Sequence, residues 1–204
     1  MAPETPQRVL MVFVKEPTPG RVKTRIAKEL GETEAAEIYR RLGRRIMRQL
    51  RGGDYRTVIY YDPPASEPEI RKWLGDREHE YLPQQSGDLG ERLTHAVEWG
   101  FGEGDLVCVV GTDIPGLDRH RVESAFSLIS NPEGVDAVFG PAVDGGYYLL
   151  ALRRPAPDLF KGIPWSTDRV LEESMKRANR LGLKVESLSV LADVDRVEDL
   201  PDEF

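Results

Sequence analysis

Short apolar runs without polar interruption recur along the chain and alternate with longer amphipathic segments. The first run, RVLMVFV at residues 8–14, is rich in β-branched side chains and lacks the alternation of a half-exposed strand. Further strands are predicted at residues 57–61, 80–82, 106–110, 135–139, 147–152 and 183–191. Because strands that are apolar throughout need cover on both faces, the pattern predicts an α/β fold with a mostly parallel sheet and helices on both sides.

The segments between these runs carry helix signals. An apolar side chain at every fourth position predicts a helix over residues 24–51 that is interrupted at Gly31. Asp88 and Asp118 stand at N-cap positions before two further helices. The remaining helices are predicted at residues 68–74, near 197, and at 166–181 with a left-handed cap at Gly182.

Length and composition indicate one globular domain that includes all 204 residues, with an irregular start over residues 1–7. No apolar run approaches the ~20 residues that span a bilayer, and no secretory leader is visible. The lone cysteine excludes an internal disulfide, and no Cys/His spacing fits zinc. We therefore expect a cytoplasmic protein without a membrane span.

The charge of the chain is unevenly distributed. Residues 1–51 hold 12 basic and 6 acidic side chains, whereas the remainder holds 16 basic and 29 acidic ones. This contrast favours a local anionic ligand over a nucleic-acid partner. Six arginines between residues 40 and 51 lie opposite the apolar stripe of their helix, and we expect them to form a solvated face.

The loop after the first strand, KEPTPGRVKTR, holds four cations in eleven residues and leads into a helix N-terminus. In open α/β sheets the ligand lies beyond the carboxyl ends of the strands, and helix N-termini favour anions. We therefore predict a phosphate-binding loop, although a solvated basic loop is the alternative. Its candidate residues are Lys15, Gly20, Arg21, Lys23, Thr24 and Arg25.

Acidic residues follow two other strands. Asp113 comes directly after the strand at 106–110, and Asp193 and Asp195 follow the last strand. A carboxylate that faces a phosphate-binding loop suits Mg²⁺ or Mn²⁺, which bridges one or two carboxylates to phosphates. Asp113 is the candidate metal ligand and catalytic residue, and Asp193 or Asp195 could supply a second ligand. Turn or helix capping is the alternative for all three.

Two glycine-containing segments add further candidates. Asp144 in VDGGYY is a candidate general base or hydroxyl ligand on the acceptor side, and Gly145 and Gly146 allow close backbone approach. A tight hairpin turn is the alternative reading of this segment. The segment QQSGDLG could read a nucleobase edge, with candidates Gln85, Gly87 and Asp88, although helix capping alone would explain Asp88.

Four segments together resemble the DUF2064 family: KxPxPGxVKTR from residue 15, TDxP at 112–115, DGGYY from 144 and PWST from 164. That family is similar to the GT-A nucleotide-diphospho-sugar transferase superfamily and, more distantly, to 2-phospholactate and molybdenum-cofactor guanylyltransferases. The resemblance covers residues 8–200. The chain departs from the molybdenum-cofactor enzymes in lacking their LAGG-type first loop, and it has a single aspartate after Thr112 rather than DxD.

The resemblance implies a single-domain Rossmann-like GT-A fold with a mixed sheet, a divalent metal at Asp113, and a nucleotide-activated substrate. It also implies phosphate contacts by Lys23 and Arg25, a second metal ligand at Asp193 or Asp195, and an acceptor side that includes Trp165.

Three functions follow from these features. The first is a metal-dependent glycosyltransferase-like enzyme that uses a nucleotide-diphospho-sugar donor and a small-molecule acceptor. The metal and the basic loop would then stabilise the leaving diphosphate. The alternatives are a nucleotidylyltransferase that acts on an NTP and a phosphorylated substrate, and a non-catalytic nucleotide-sensing module.

Overall fold

A seven-stranded mixed sheet forms the centre of the computed structural model, which describes residues 6–75, 79–131 and 133–201. The strand order is β3-β2-β1-β4-β6-β5-β7. β6 runs antiparallel to both of its neighbours, and the other pairs are parallel. The strands are β1 Arg8–Lys15, β2 Arg56–Asp62, β3 Glu80–Pro83, β4 Leu106–Val110, β5 Ala137–Pro141, β6 Tyr147–Leu152 and β7 Val185–Ser187.

Six α-helices flank the sheet in the described residues: α1 Thr24–Leu30, α2 Glu32–Gln49, α3 Glu67–Leu74, α4 Leu89–Glu103, α5 Arg119–Ser130 and α6 Val170–Arg180. Three short 3₁₀ turns lie at Pro64–Ser66, Pro157–Phe160 and Val197–Asp199. The predicted break at Gly31 and the caps at Asp88 and Asp118 are confirmed, and Asp88 forms a full capping box with Glu91. None of the helices described here is long and apolar enough to cross a membrane.

Both faces of the sheet are buried, as the uninterrupted apolar strands predict. On one face Leu10 packs in a cluster with Ile46 of α2 and Phe126 of α5. On the other face Met11 packs in a cluster with Leu93 of α4. Burial of each such side chain contributes roughly 1.5–3 kcal/mol, so the two-sided core fixes the strand ends in place.

The segment after β7, residues 188–201, packs back onto the first two helices. Val194 is 1 % exposed and lies in a cluster with Ile26 of α1 and Ile38 of α2. Val197 and Leu200 pack against the same cluster. This apolar anchor carries Asp193 and Asp195, on either side of Val194, to the start of α1.

Three predicted boundaries are wrong. The helix predicted from residue 166 begins at Val170, because Ser166 has a positive φ of 64° that a helix cannot include. The last strand is only Val185–Ser187, and Leu191 rejoins the sheet through a single bridge to Ala142. The strand predicted at residues 135–139 is displaced by two residues to Ala137–Pro141. Within the irregular start predicted over residues 1–7, the Gln7 amide donates to Asp105 Oδ2 at 2.8 Å, and residues 1–5 lie outside the described residues.

Candidate functional site

The carboxyl ends of β1 and β4 are joined by a buried tyrosine of α2. The hydroxyl oxygen of Tyr39 accepts hydrogen bonds from the Lys15 amide at 3.0 Å and from Thr112 Oγ1 at 3.3 Å. Burial raises the pKa of the Tyr39 phenol, and the nearby charge of Asp113 raises it further, so the group stays neutral. Sequence reasoning missed Tyr39, although its hydroxyl stands out in an otherwise apolar stripe beside Ile38.

Asp113 lies next to this tyrosine and faces a lysine from the basic loop. Lys23 Nζ is 2.9 Å from Asp113 Oδ1 and donates a hydrogen bond to the Val194 carbonyl at 2.6 Å. The Lys23 side chain is 6 % exposed, whereas the Asp113 side chain is 51 % exposed. The Val194 amide donates to the Asp113 carbonyl at 3.0 Å, so backbone and side chain both join β4 to the C-terminal segment.

The C-terminal segment adds two more carboxylates to this edge. Asp195 forms an ion pair with Arg25 of α1. Burial raises the pKa of Asp193, the charges of Asp144 and Asp195 raise it further, and Lys23 opposes them. The carboxylates at 113, 144, 193 and 195 therefore gather at one edge of the sheet, together with the cations of Lys23 and Arg25.

The donor set at this edge fits a divalent cation shared with a ligand. Among the described residues, no three His, Cys, Asp or Glu side chains are placed to hold a metal ion by themselves. Asp113 Oδ1 is nevertheless a buried carboxylate oxygen whose contact with the Lys23 ammonium, at 2.9 Å, is an ion pair without the alignment of a hydrogen bond. Mg²⁺ and Mn²⁺ characteristically take one or two carboxylates and complete their shell with waters and phosphate oxygens.

The remaining residues of the basic loop lie around this cluster. Gly20 has a φ of 78°, in the left-handed region, and the Arg21 amide closes a turn onto the Thr18 carbonyl at 3.0 Å. The Lys15, Arg21 and Thr24 side chains are exposed. Lys23 and Arg25, by contrast, form ion pairs with Asp113 and Asp195. The basic segment therefore has two paired cations and two exposed ones.

Asp144 lies in the hairpin that joins β5 to β6, and the predicted hairpin turn is therefore present. Its Oδ1 accepts a hydrogen bond from the Gly146 amide at 2.8 Å, and the side chain is exposed. Gly145 has a φ of 86°, and a Cβ there would overlap the backbone of Asp168. The Leu171 amide donates to the Gly145 carbonyl at 2.8 Å, so the first turn of α6 holds the hairpin in place.

A buried amide network lies at the ends of β1 and β2. Gln84 Nε2 donates to the carbonyls of Val14 and Tyr60 at 3.1 and 2.9 Å, and its Oε1 accepts from Arg92 at 3.3 Å. Arg92 also lies 3.3 Å from Asp62. The Gln84 amide therefore holds backbone rather than presenting itself to a ligand, and sequence reasoning did not identify Arg92 or Asp62.

The other two predicted groups are the segment before α4 and the side chain of Trp165. Gln85 and Gly87 are exposed before α4, whereas the Asp88 carboxylate accepts from the Glu91 amide at 2.9 Å as an N-cap. Trp165 is half-buried, and its ring meets that of Tyr147 nearly edge-on at 6.5 Å. A Cβ at Gly90 would lie 2.6 Å from Trp165 Nε1, so Trp165 rests on the start of α4.

Comparison with known proteins gives a family match and a close structural likeness. The DUF2064 family, described as an uncharacterized protein conserved in bacteria, matches residues 45–167. A crystal structure from Desulfovibrio desulfuricans G20, provisionally named a nucleotide-diphospho-sugar transferase, is 37 % identical with a TM-score of 0.87. The match covers 94 % of this chain and 84 % of that one. None of the curated proteins matches this sequence.

More distant structures share the fold. A CMP:2-keto-3-deoxy-manno-octonic acid synthetase complexed with CTP is 13 % identical with a TM-score of 0.57, and the match covers 93 % of each chain. Glucosyl-3-phosphoglycerate synthase from Mycobacterium tuberculosis, solved with Mn²⁺, UDP and glucosyl-3-phosphoglycerate, is 15 % identical with a TM-score of 0.55. That match covers 95 % of this chain and 74 % of the synthase.

Proposed function

This chain belongs to the DUF2064 family, and we propose that it is a metal-dependent transferase that moves a sugar from a nucleotide-diphospho-sugar to a small-molecule acceptor. One observation carries the proposal: Lys23 and Arg25, at the start of α1, form ion pairs with Asp113 after β4 and with Asp195 in the C-terminal segment. Cations and carboxylates that alternate at the ligand edge of an α/β sheet suit a diphosphate bound with a divalent ion.

The chain's own residues supply the binding of the donor. Lys23, Arg25 and the exposed Lys15 and Arg21 bind the phosphates, and charge-assisted hydrogen bonds of this kind contribute about 1.5–3 kcal/mol each. Asp113, with Asp193 or Asp195, would hold Mg²⁺ or Mn²⁺. When bound, the ion neutralises the charge that builds up on the leaving diphosphate.

The acceptor lies on the side of the β5–β6 hairpin. Asp144 is exposed there, its turn is held by the Gly145–Leu171 hydrogen bond, and its charge is felt by Asp193. An exposed carboxylate on a fixed turn can accept a proton from an acceptor hydroxyl. We assign Asp144 this role as general base, with Trp165 on the same side of the site.

A ligand screen followed by product analysis tests the proposal. Nucleoside diphosphates, nucleoside triphosphates and nucleotide sugars are tested in thermal unfolding with and without Mg²⁺ or Mn²⁺. A true ligand at 100 times its Kd adds about 2.7 kcal/mol to the free energy of unfolding. The bound nucleotide sugar is then incubated with a panel of small hydroxyl-bearing acceptors, and the released nucleotide is identified.

The products separate the candidate activities. Release of a nucleoside diphosphate from a nucleotide sugar supports the proposal. Release of pyrophosphate from an NTP with a phosphorylated substrate would replace it with nucleotidyl transfer. Stabilisation by nucleotides with no turnover would point to a sensing module, and no stabilisation by any nucleotide would overturn nucleotide binding altogether.

A further inference from the structure

The Lys23 ammonium occupies a position inside the acidic cluster. Its Nζ lies 2.9 Å from Asp113 Oδ1 and 2.6 Å from the Val194 carbonyl oxygen, and only 6 % of the side chain is exposed. Lys23 is also one of two described non-glycine residues with positive φ, with φ and ψ of 46° and 48°. Such a conformation is costly for a residue with a Cβ, so the surrounding contacts hold Lys23 in it.

The two partners of this ammonium are also ligands of the kind that a divalent cation takes. Asp113 Oδ1 is buried, and the Lys23 ammonium is its ion-pair partner at 2.9 Å, without an aligned hydrogen bond. Backbone carbonyls and carboxylates are oxygen ligands that Mg²⁺ and Mn²⁺ accept. A metal ion that approaches Asp113 therefore meets a positive charge already beside the same oxygen.

We propose that Lys23 is a positioning residue that acts as an internal counter-cation: it holds Asp113 against the C-terminal segment and competes with a divalent metal for Asp113. The lysine thereby keeps metal affinity low until an anion offers the ammonium another partner. Under the proposed function, on which this last step rests, that anion is the diphosphate of the donor. Nucleotide and metal then raise each other's affinity by the same factor, as linkage requires.

The first test measures metal binding without any nucleotide. Mn²⁺ is titrated into the wild type, Lys23→Gln and the control Lys28→Gln, and free Mn²⁺ is followed by electron paramagnetic resonance. Glutamine keeps a donor for the Val194 carbonyl but removes the charge, and Lys28 is an exposed lysine in the last turn of the same helix. We expect Mn²⁺ affinity to rise about tenfold or more in Lys23→Gln and to stay at the wild-type value in Lys28→Gln.

Two further variants tie the gain to the named atoms. Lys23→Arg keeps the charge and should bind Mn²⁺ as weakly as the wild type. Adding Asp113→Asn to Lys23→Gln should remove the gain. A folded Lys23→Gln protein with unchanged or weaker Mn²⁺ affinity, or a gain that survives Asp113→Asn, would overturn the proposal.

A second measurement uses the wild-type chain and so does not depend on whether a variant folds. Reductive methylation followed by peptide mass spectrometry reports how accessible each lysine amine is. Lys23 should be protected without metal, and saturating Mn²⁺ should raise its labelling several-fold while Lys28 stays constant. Unchanged Lys23 labelling would overturn the competition.

These tests are independent of the proposed reaction. Both use Mn²⁺ alone, so they keep their meaning even if no nucleotide sugar is turned over. Conversely, the donor assay can succeed while Lys23→Gln binds Mn²⁺ as the wild type does. That result would reject the role of Lys23 as a competing cation and leave the transferase proposal standing.

Discussion

Asp136 and Asp113 lie at opposite ends of the strands, and they show how an aspartate can be held by several donors or by a single lysine. Asp136, just before β5, is 8 % exposed and accepts hydrogen bonds from Arg153 at 2.7 Å, Arg154 at 3.2 Å and the Lys184 amide at 3.0 Å. Burial alone would raise the pKa of Asp136, but the donors of Arg153, Lys184 and Arg154 hold it well below its usual range.

The edge at Asp113 lacks that balance. Asp113 forms an ion pair with one lysine, and its buried Oδ1 accepts no aligned hydrogen bond. Three more aspartates lie in the same region. The pKa of Asp193 is raised first by burial and then by the charge of Asp144, and the opposing charge of Lys23 does not offset these two effects. The comparison teaches that several donors of the fold satisfy Asp136, whereas the chain gives Asp113 a single lysine as its ion-pair partner.

The largest effect is expected from Asp113→Asn. This variant keeps the shape of the side chain but removes the charge that a divalent ion needs, so it should fold normally and lose roughly 10³-fold in transfer rate. The metal-dependent part of nucleotide affinity should disappear as well. Calorimetric titration of nucleotide in the presence of Mn²⁺, and then in the presence of chelator, measures this loss. Asp54→Asn, which changes an exposed aspartate outside the candidate site, is the control. Full metal enhancement in Asp113→Asn would remove it from the site.

The next effect concerns the acceptor side. Asp144→Asn keeps the hydrogen bond to the Gly146 amide, since the amide oxygen can accept it, but it cannot take a proton. Transfer should slow by about 10²-fold while donor affinity stays near the wild-type value. Steady-state kinetics and donor titration on the same preparation separate the two quantities. A normal rate would leave Asp144 as a hairpin residue alone.

Asp136→Asn tests the aspartate that is held by three donors, and it should lower stability without changing function. Loss of the charge leaves Arg153 and Arg154 with a weaker acceptor, and we expect the free energy of unfolding to fall by about 2 kcal/mol. For a chain of this size that corresponds to a Tm lower by about 4–8 °C. Donor and Mn²⁺ affinities below the transition should be unchanged. Reduced ligand affinity in a folded variant would contradict the expectation that Asp136 contributes to stability and not to ligand binding.

The smallest effect is a pH dependence at Asp193. Because its pKa is raised in the folded state, the folded chain binds the extra proton more readily than the unfolded chain does. Asp193 therefore favours folding below the ordinary aspartate pKa near 3.9 and loses that contribution as pH rises through the folded value. Asp193→Asn should raise Tm slightly at neutral pH, and the difference from the wild type should vanish on acidification. A difference that does not change with pH would exclude this cause.

Much of the fold follows from local patterns in the sequence. Apolar runs such as residues 8–14 are covered on both faces, and the caps at Asp88 and Asp118 form where side chain and periodicity agree. The helix predicted from residue 166 starts later because Ser166 has a positive φ and Thr167 forms hydrogen bonds with Pro164 and Arg169 in a local turn. β7 is shorter than predicted because only residues 185–187 pair with β5, and the pattern of apolar residues does not reveal where that pairing stops.

The candidate site is predictable in position but not in pairing. The rule that ligands lie beyond strand ends locates Asp113 and the basic loop. It cannot say that Lys23 turns inward to a carbonyl 171 residues away, nor that Tyr39 joins β1 to β4. Those contacts depend on tertiary packing: Val194 is buried against Ile26 and Ile38, and Tyr39 lies in the core cluster that includes β1 and β4.

The return of the C-terminal segment to α1 has a consequence for biosynthesis. The first half of the cluster, Lys23 and Arg25, is synthesised about 170 residues before its partners at 194 and 195. A nascent chain can pair β1 with β2 early, but such long-range contacts form late because their loop must first be closed. The site is therefore assembled last. A shortened chain that lacks residues from 193 onward would keep the strands of the sheet but lose Asp193 and Asp195, two of the four carboxylates of the site.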